Sequence, residues 1–125
     1  MSKVLVIEDN KDNLRLISAA LTLSGYEVAS AATGEEGIAH AISERPAFIL
    51  LDINLPGIDG FETAARLRLF DSIRDIPIIA ITSYAMLGDR EKVMAAGCNG
   101  YFEKPIDPLT IMDKIHSVIK RPASS

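Results

Sequence analysis

The sequence holds a single cysteine, Cys98, so no internal disulfide can brace it and a reducing compartment is expected. It has no apolar run approaching the roughly 20 residues that a membrane-spanning helix needs. A signal peptide is missing too, because Met1-Ser2-Lys3 leads into Val4-Leu5-Val6-Ile7, which is short and stops at Glu8-Asp9. Basic charge is also scarce. Thirteen Lys and Arg stand against 17 Asp and Glu, a net charge of −4 that disfavours general nucleic-acid or anionic-membrane binding. These absences together predict a soluble cytoplasmic protein with neither nucleic acid nor membrane as partner.

What the chain does carry is apolar mass. Its 125 residues are 48% hydrophobic and 24% charged, which excludes a disordered tail, a collagen or a low-complexity linker. One domain over residues 1–125 is expected, with its core at about 3–120 and a loose tail at Arg121–Ser125. At this length a chain buries about two thirds of its unfolded surface, enough for a core without staples.

Short apolar runs alternate with helical patterns along the whole length. The runs are Val4–Ile7, Tyr26–Ala29, Phe48–Leu51, Ile78–Ile81 and Tyr101-Phe102. Between them, Leu14, Ile17 and Leu21 mark a first helix closed by Gly25. Thr33-Gly34-Glu35-Glu36 reads as a capping box for a second, with Ile38, Ala41 and Ile42 on one face and Pro46 as the stop. A third is expected from about Phe61 to Leu69, and a fourth from about Ala85 to Ala96 with Gly97 as its cap. The last starts from Asp107 as N-cap and Pro108 at the first helical position, with Ile111, Met112, Ile115, Val118 and Ile119 as its apolar face.

Such alternation predicts an α/β fold: a parallel five-stranded sheet covered by helices on both faces. Runs one, three and four are apolar throughout, as strands buried on both faces are. Run two carries Glu27 and run five is very short, which suits sheet edges. The order 2-1-3-4-5 of a flavodoxin-like (βα)5 layer structure follows.

In open parallel sheets, ligands bind outside the carboxyl ends of the strands. The first strand ends in Glu8-Asp9, the third in Asp52 and the fourth in Thr82-Ser83, while the fifth leads to Lys104-Pro105. Three carboxylates against one ammonium leave two uncompensated negative charges on that rim, so a cation is expected. Oxygen donors with no His or Cys beside them suit Mg²⁺, which accepts phosphate oxygens. Phosphoryl transfer is the chemistry implied. Asp52 is best placed as the nucleophile, with Lys104 and the Thr82 hydroxyl to meet phosphoryl oxygens. Taken one at a time, each motif has a plainer reading. Glu8-Asp9 would be a helix-dipole complement, the segment after Asp52 a loop, Lys104-Pro105 a turn, Thr82 a strand end and Tyr101 a core aromatic. His40 and His116 read as surface or boundary residues, Cys98 as a small buried one, and Met86, Met94 and Met112 as gap-fillers.

At this point the chain resembles the receiver domain of two-component response regulators. The matching motifs are Val4-Leu5-Val6-Ile7-Glu8-Asp9-Asn10, Leu51-Asp52-Ile53-Asn54-Leu55-Pro56-Gly57, Ile81-Thr82-Ser83 and Lys104-Pro105, in order over roughly residues 3–120. The resemblance implies Asp52 as phosphoacceptor, Asp9 as a direct Mg²⁺ ligand, Glu8 acting through water and the Asn54 carbonyl completing the shell. It further implies Thr82 and Lys104 as the phosphate-sensing pair, a cis peptide at Lys104-Pro105 and Tyr101 as the aromatic switch. The phosphodonor would be a histidine kinase or a histidine phosphotransfer protein. A downstream protein would be met through the fourth helix, fifth strand and fifth helix. Two departures stand out: the acidic pair is Glu-Asp, and Ser83 replaces a frequent Ala.

Rival readings fit less well. A nucleotide or flavin binder needs a glycine- or hydroxyl-rich loop where this chain has Glu8-Asp9-Asn10-Lys11-Asp12. A haloacid-dehalogenase-type phosphatase keeps a second Asp where Asn54 stands. A single-domain phosphorylation switch rather than a metabolic enzyme is expected, and because no output domain fits after the fifth helix, its output would be protein–protein contact or onward phosphoryl transfer. The alternative is a receiver module cut from a hybrid histidine kinase or larger regulator. On the first helix, Leu16 falls opposite the inward stripe, and with Ile106 it is expected to form an apolar docking rim for the phosphodonor.

Overall fold

Unbroken apolar strands need helices on both sides, and the chain supplies them in strict alternation. A computed structural model describes residues 2–82, 89–104 and 106–119. In chain order these form β1 (Lys3–Ile7), α1 (Lys11–Leu23), β2 (Glu27–Ala31), α2 (Gly34–Glu44) and β3 (Ile49–Asp52). There follow α3 (Gly60–Leu67), β4 (Ile78–Thr82), α4 (Asp89–Ala95), β5 (Gly100–Glu103) and α5 (Ile111–Ile119), with a 3₁₀ turn at Asp71–Ile73. All strand pairs are parallel and the order is β2-β1-β3-β4-β5, as the hydropathy of the runs predicts.

The two-residue period of the strands divides the core into two layers. Val4, Val6, Leu50, Ile79 and Ile81 pack with Ile17 and Leu21 of α1 and Ile111 and Ile115 of α5. Leu5, Ile7, Ile49, Leu51, Ile78 and Ala80 pack with Ala41 of α2, Ala64 and Leu67 of α3 and Val93 of α4. Each fully buried Leu or Ile contributes about 1.5–3 kcal/mol of transfer free energy.

Side-chain caps fix where the helices begin. Asn10 accepts the Asn13 N–H at 3.0 Å, and Asp59 accepts that of Glu62 at 2.9 Å. The expected capping box is present: Thr33 Oγ1 accepts the Glu36 N–H at 3.1 Å, while Glu36 Oε2 reaches back to the Ala32 N–H at 3.2 Å. Gly97 closes α4 at φ 109°, a left-handed conformation that favours glycine.

Four expectations need correction. α5 begins at Ile111, not Pro108, with a turn before it, although Asp107 makes the bonds expected of a cap: Oδ1 accepts the Leu109 N–H and the carbonyl accepts the Thr110 and Ile111 N–H groups. Ile42 does not join Ala41 inside but is 38% exposed, and Met94 is 43% exposed rather than filling a gap. β2 starts one residue late and runs to Ala31, since Tyr26 turns aside to pack edge-on against Phe48 at 5.3 Å. His116 is half-buried, as expected of a boundary residue, and pairs with the Tyr26 hydroxyl at 3.1 Å, brought from 90 residues away in sequence. The expected start of the fourth helix with Met86, and also Ser83, Pro105 of the expected cis peptide and the tail Arg121–Ser125, lie outside the described residues.

At the amino edge of the sheet, Arg68 ties four segments together. Its guanidinium donates to the carbonyls of Gly97, Arg74 and Ile76 and to Asn99 Oδ1, all at 2.7–2.8 Å. Asn99 Oδ1 also accepts the Ile78 N–H at 2.9 Å, which closes the network on β4.

The carboxyl edge is held by a tight loop from β3 into α3, closed by the Gly60 N–H on the Ile53 carbonyl at 3.0 Å. A methyl group on Gly60 would lie 2.5 Å from Ile53 Cα and 2.7 Å from the Asp52 carbonyl, so backbone would have to move. Gly60→Ala is therefore expected to lose about 1–3 kcal/mol of stability in urea unfolding. An unchanged midpoint would show that the loop relaxes freely.

Candidate functional site

Register brings the acidic residues together. Ile7 of β1 pairs with Leu51 of β3, so Glu8 and Asp52, each one residue further on, stand side by side at the carboxyl edge. Both are buried, at 3% exposure each, although both are acidic. Asp9 follows on the exposed loop into α1. One carboxylate oxygen from each of Glu8, Asp9 and Asp52 lies within 4.8 Å of the others.

The neighbours partly offset this charge. Lys104 Nζ lies 3.0 Å from Glu8 Oε1 and 3.4 Å from Asp52 Oδ2. The Asn54 N–H donates to Asp52 Oδ1 at 3.0 Å, and the Asn10 N–H to Glu8 Oε2 at 3.3 Å. Glu8 Oε1 is buried and accepts no aligned hydrogen bond from any described residue, so Lys104 meets it as an ion pair only. Burial, reinforced by the neighbouring Asp52 and opposed by Lys104, pushes the Glu8 carboxyl up to about 7. A hard divalent cation fits this donor set, because the three residues supply carboxylate oxygens and one of those oxygens is buried without a hydrogen bond.

Thr82 and Tyr101, the other predicted residues, lie on β4 and β5. The Ile53 N–H bonds the Ile81 carbonyl at 3.0 Å, and the Lys104 N–H bonds the Thr82 carbonyl at 2.7 Å, which fixes both loops to the end of β4. Thr82 is buried. Ile81 packs toward α1 and α5, so by alternation Thr82 faces the layer of α2, α3 and α4. Tyr101, in register with Ala80, is half-buried against that same layer.

One predicted residue is misplaced. Ile106 is 7% exposed and packs in the core with Ile111 and Ile115, so it offers no docking rim. An isoleucine beside a polar site is drawn inward wherever the core has room, and sequence spacing does not reveal that room. Leu16 is 38% exposed, and the exposed apolar residue on the loop after Lys104 is Leu109, at 88%. Asn10, whose N–H donates to Glu8, is a site residue that motif spacing alone does not single out; its position just before an apolar-periodic helix is the signal of a cap.

Fold and site together define a phosphoacceptor switch of two-component signalling. The chain belongs to the response regulator receiver domain family, which it matches over residues 4–116. Among its relatives is the polar-differentiation response regulator DivK of Brucella anthropi, 38% identical over 93% of this chain and 94% of that protein. The DivK of Brucella abortus is 36% identical over the same shares. The solved chemotaxis protein CheY4 of Vibrio cholerae is similar at a TM-score of 0.89 and 31% identity, covering 94% of this chain and 98% of that one. The receiver domain of a Pseudomonas aeruginosa sensor histidine kinase, solved with a magnesium ion coordinated in its active site cleft, has a TM-score of 0.87 and 34% identity. That match covers 96% of this chain and 98% of the kinase receiver. Receiver domains work with histidine kinases and phosphotransfer proteins and bind Mg²⁺ in the active site. Among the described residues no helix is long and apolar enough to cross a membrane.

The raised Glu8 carboxyl has a consequence for stability. Between its ordinary value of 4.5 and its folded value of about 7, the folded chain holds more proton than the unfolded one. The Glu8 contribution is thus full at low pH and is lost as pH rises through about 7. With divalent cations chelated, urea unfolding from about pH 5 to about pH 8 is expected to show wild type losing stability relative to Glu8→Gln. A flat difference would mean that Glu8 is ionised throughout.

Proposed function

We propose that Asp52 is the phosphoacceptor of this receiver. The observation that supports it most is that Asp52 is buried at a strand end with Lys104 Nζ on one oxygen, the Asn54 N–H on the other and two further carboxylates beside it. A carboxylate oxygen attacks the phosphorus of a phosphohistidine, forming the P–O bond of an acyl phosphate as the P–N bond breaks. The electron pair stays on the imidazole nitrogen, which then takes up a proton. Glu8, Asp9, Asp52 and the Asn54 carbonyl would hold Mg²⁺, which supplies charge neutralisation and orientation for the phosphoryl oxygens. Lys104 moves from its carboxylate partners toward the new phosphoryl group, and the Thr82 hydroxyl donates to one of its oxygens. The reaction that the chain catalyses is its own phosphorylation and slow dephosphorylation.

Docking of the phosphodonor uses the exposed Leu16 on α1. Phosphorylation then draws Thr82 inward and lets Tyr101 follow, which shifts an existing equilibrium at α4, β5 and α5 where a downstream protein binds. We place this exchange in the cytoplasm, where the lone buried Cys98 stays reduced. A receiver module of a hybrid kinase is a second reading, supported by the 34% identity to the Pseudomonas kinase receiver.

One assay with two donors tests the acceptor and the docking residue. Asp52→Asn is expected to abolish acyl phosphate formation from both a small phosphodonor and a phosphohistidine protein. Leu16→Asp should slow transfer from the protein by about tenfold or more while sparing the small donor. Acyl phosphate that persists in Asp52→Asn, or equal rates from both donors in Leu16→Asp, would contradict these assignments. For the switch, Thr82→Ala should still be phosphorylated but bind its downstream protein equally in both states. Calorimetry that finds the wild-type discrimination intact would remove Thr82 from the mechanism.

A further inference from the structure

Helices α2 and α3 lie side by side and leave an apolar groove of about 410 Å³ between them. Ile38, Leu69 and Phe70 line it, with Glu35 on the α2 wall and Arg66 on the α3 wall. Leu69 is 80% exposed, Phe70 is 41% exposed and Ile42, one helical turn beyond Ile38, is 38% exposed. Isolated apolar side chains at a surface are ordinary. Several along one groove form the kind of patch that marks an interface. Neither the phosphoryl chemistry nor the docking residues described above make use of it.

We propose that this groove is a self-association surface whose occupant is the same α2–α3 face of a second copy, related by a two-fold axis. The charges on its walls carry the argument. The groove holds one acid and one base, on different helices, so a strongly acidic or strongly basic partner meets no matching field. A second copy turned by half a rotation does meet one. An axis through the apolar centre sets Glu35 of each copy against Arg66 of the other, with Leu69 and Phe70 packed between. Arg66 gives only its Nε to Glu62, at 3.2 Å, and its side chain stays 45% exposed, which leaves donors for a carboxylate opposite. The net charge of −4 opposes association over most of the surface, so a contact between copies belongs where local charges alternate.

Sedimentation equilibrium on the full unphosphorylated chain, up to about 1 mM, is expected to show the mass rising toward twice the monomer value. Leu69→Glu should hold the chain at monomer mass over the same range. Glu35→Arg and Arg66→Glu should each weaken association by about tenfold or more, because each then sets like charges together. Mixing these two variants should restore it, since both ion pairs across the mixed contact are again of opposite sign. A wild type that stays monomeric at about 1 mM would overturn the proposal. So would an association that survives Leu69→Glu, one that ignores either charge reversal, or variants that remain monomeric when mixed.

Discussion

Two carboxylates sit buried side by side at the end of a parallel sheet, and much of the site geometry answers to that crowding. Parallel register leaves no choice: once Ile7 is level with Leu51, the next residues on β1 and β3 must be neighbours. Burying like charges is costly, and the chain offsets the cost with one ion-pairing lysine and two backbone N–H donors. The compensation is incomplete, as the Glu8 Oε1 that accepts no hydrogen bond and the raised Glu8 carboxyl both show. That shortfall suits a switch. A site already satisfied by its own residues would have little to gain from a cation or a phosphoryl group.

The same pleat that builds the core also separates the directions in which the site points. Leu51 and Ile7 belong to the layer under α2, α3 and α4, so Asp52 and Glu8 turn toward the α1 and α5 side. Thr82 comes after Ile81 of the α1 and α5 layer and therefore faces the other way, where Tyr101 packs. Asp52 and Thr82 thus leave the ends of neighbouring strands toward opposite faces of one sheet. Lys104 joins the two, since its N–H bonds the Thr82 carbonyl at 2.7 Å and its Nζ lies 3.4 Å from Asp52 Oδ2.

Sequence made the periodic features legible and left the compensating ones hidden. Apolar runs at Val4–Ile7, Phe48–Leu51 and Ile78–Ile81 announce doubly buried strands, so order and edges could be read directly. Residues at strand ends are legible for the same reason, and Glu8, Asp52 and Lys104 do meet. Ile106 and Ile42 show the limit, since an apolar residue at a layer boundary goes in or out according to packing volume. Asp107 shows another, because it makes the bonds of a cap and yet a turn intervenes before α5 begins at Ile111. Contacts distant in sequence, such as Tyr26 with His116, leave no periodic trace at all.

Arg68 belongs to that hidden class and balances the carboxyl edge from the other end of the sheet. Its donors fill the carbonyls of the turns before β4 and β5, which would otherwise end in half-buried acceptors. Burial lowers the Arg68 pKa, yet the guanidinium keeps its geometry because every bond it makes is directed and planar. Beside it, burial pushes the Cys98 thiol up to about 12, so the one cysteine stays an inert packing residue. The amino edge is therefore satisfied and stiff, whereas the carboxyl edge is charged and under-compensated. A sheet satisfied at one end and under-compensated at the other concentrates its low-cost displacements at the carboxyl edge. A receiver built on a uniformly satisfied sheet would lack that softer end.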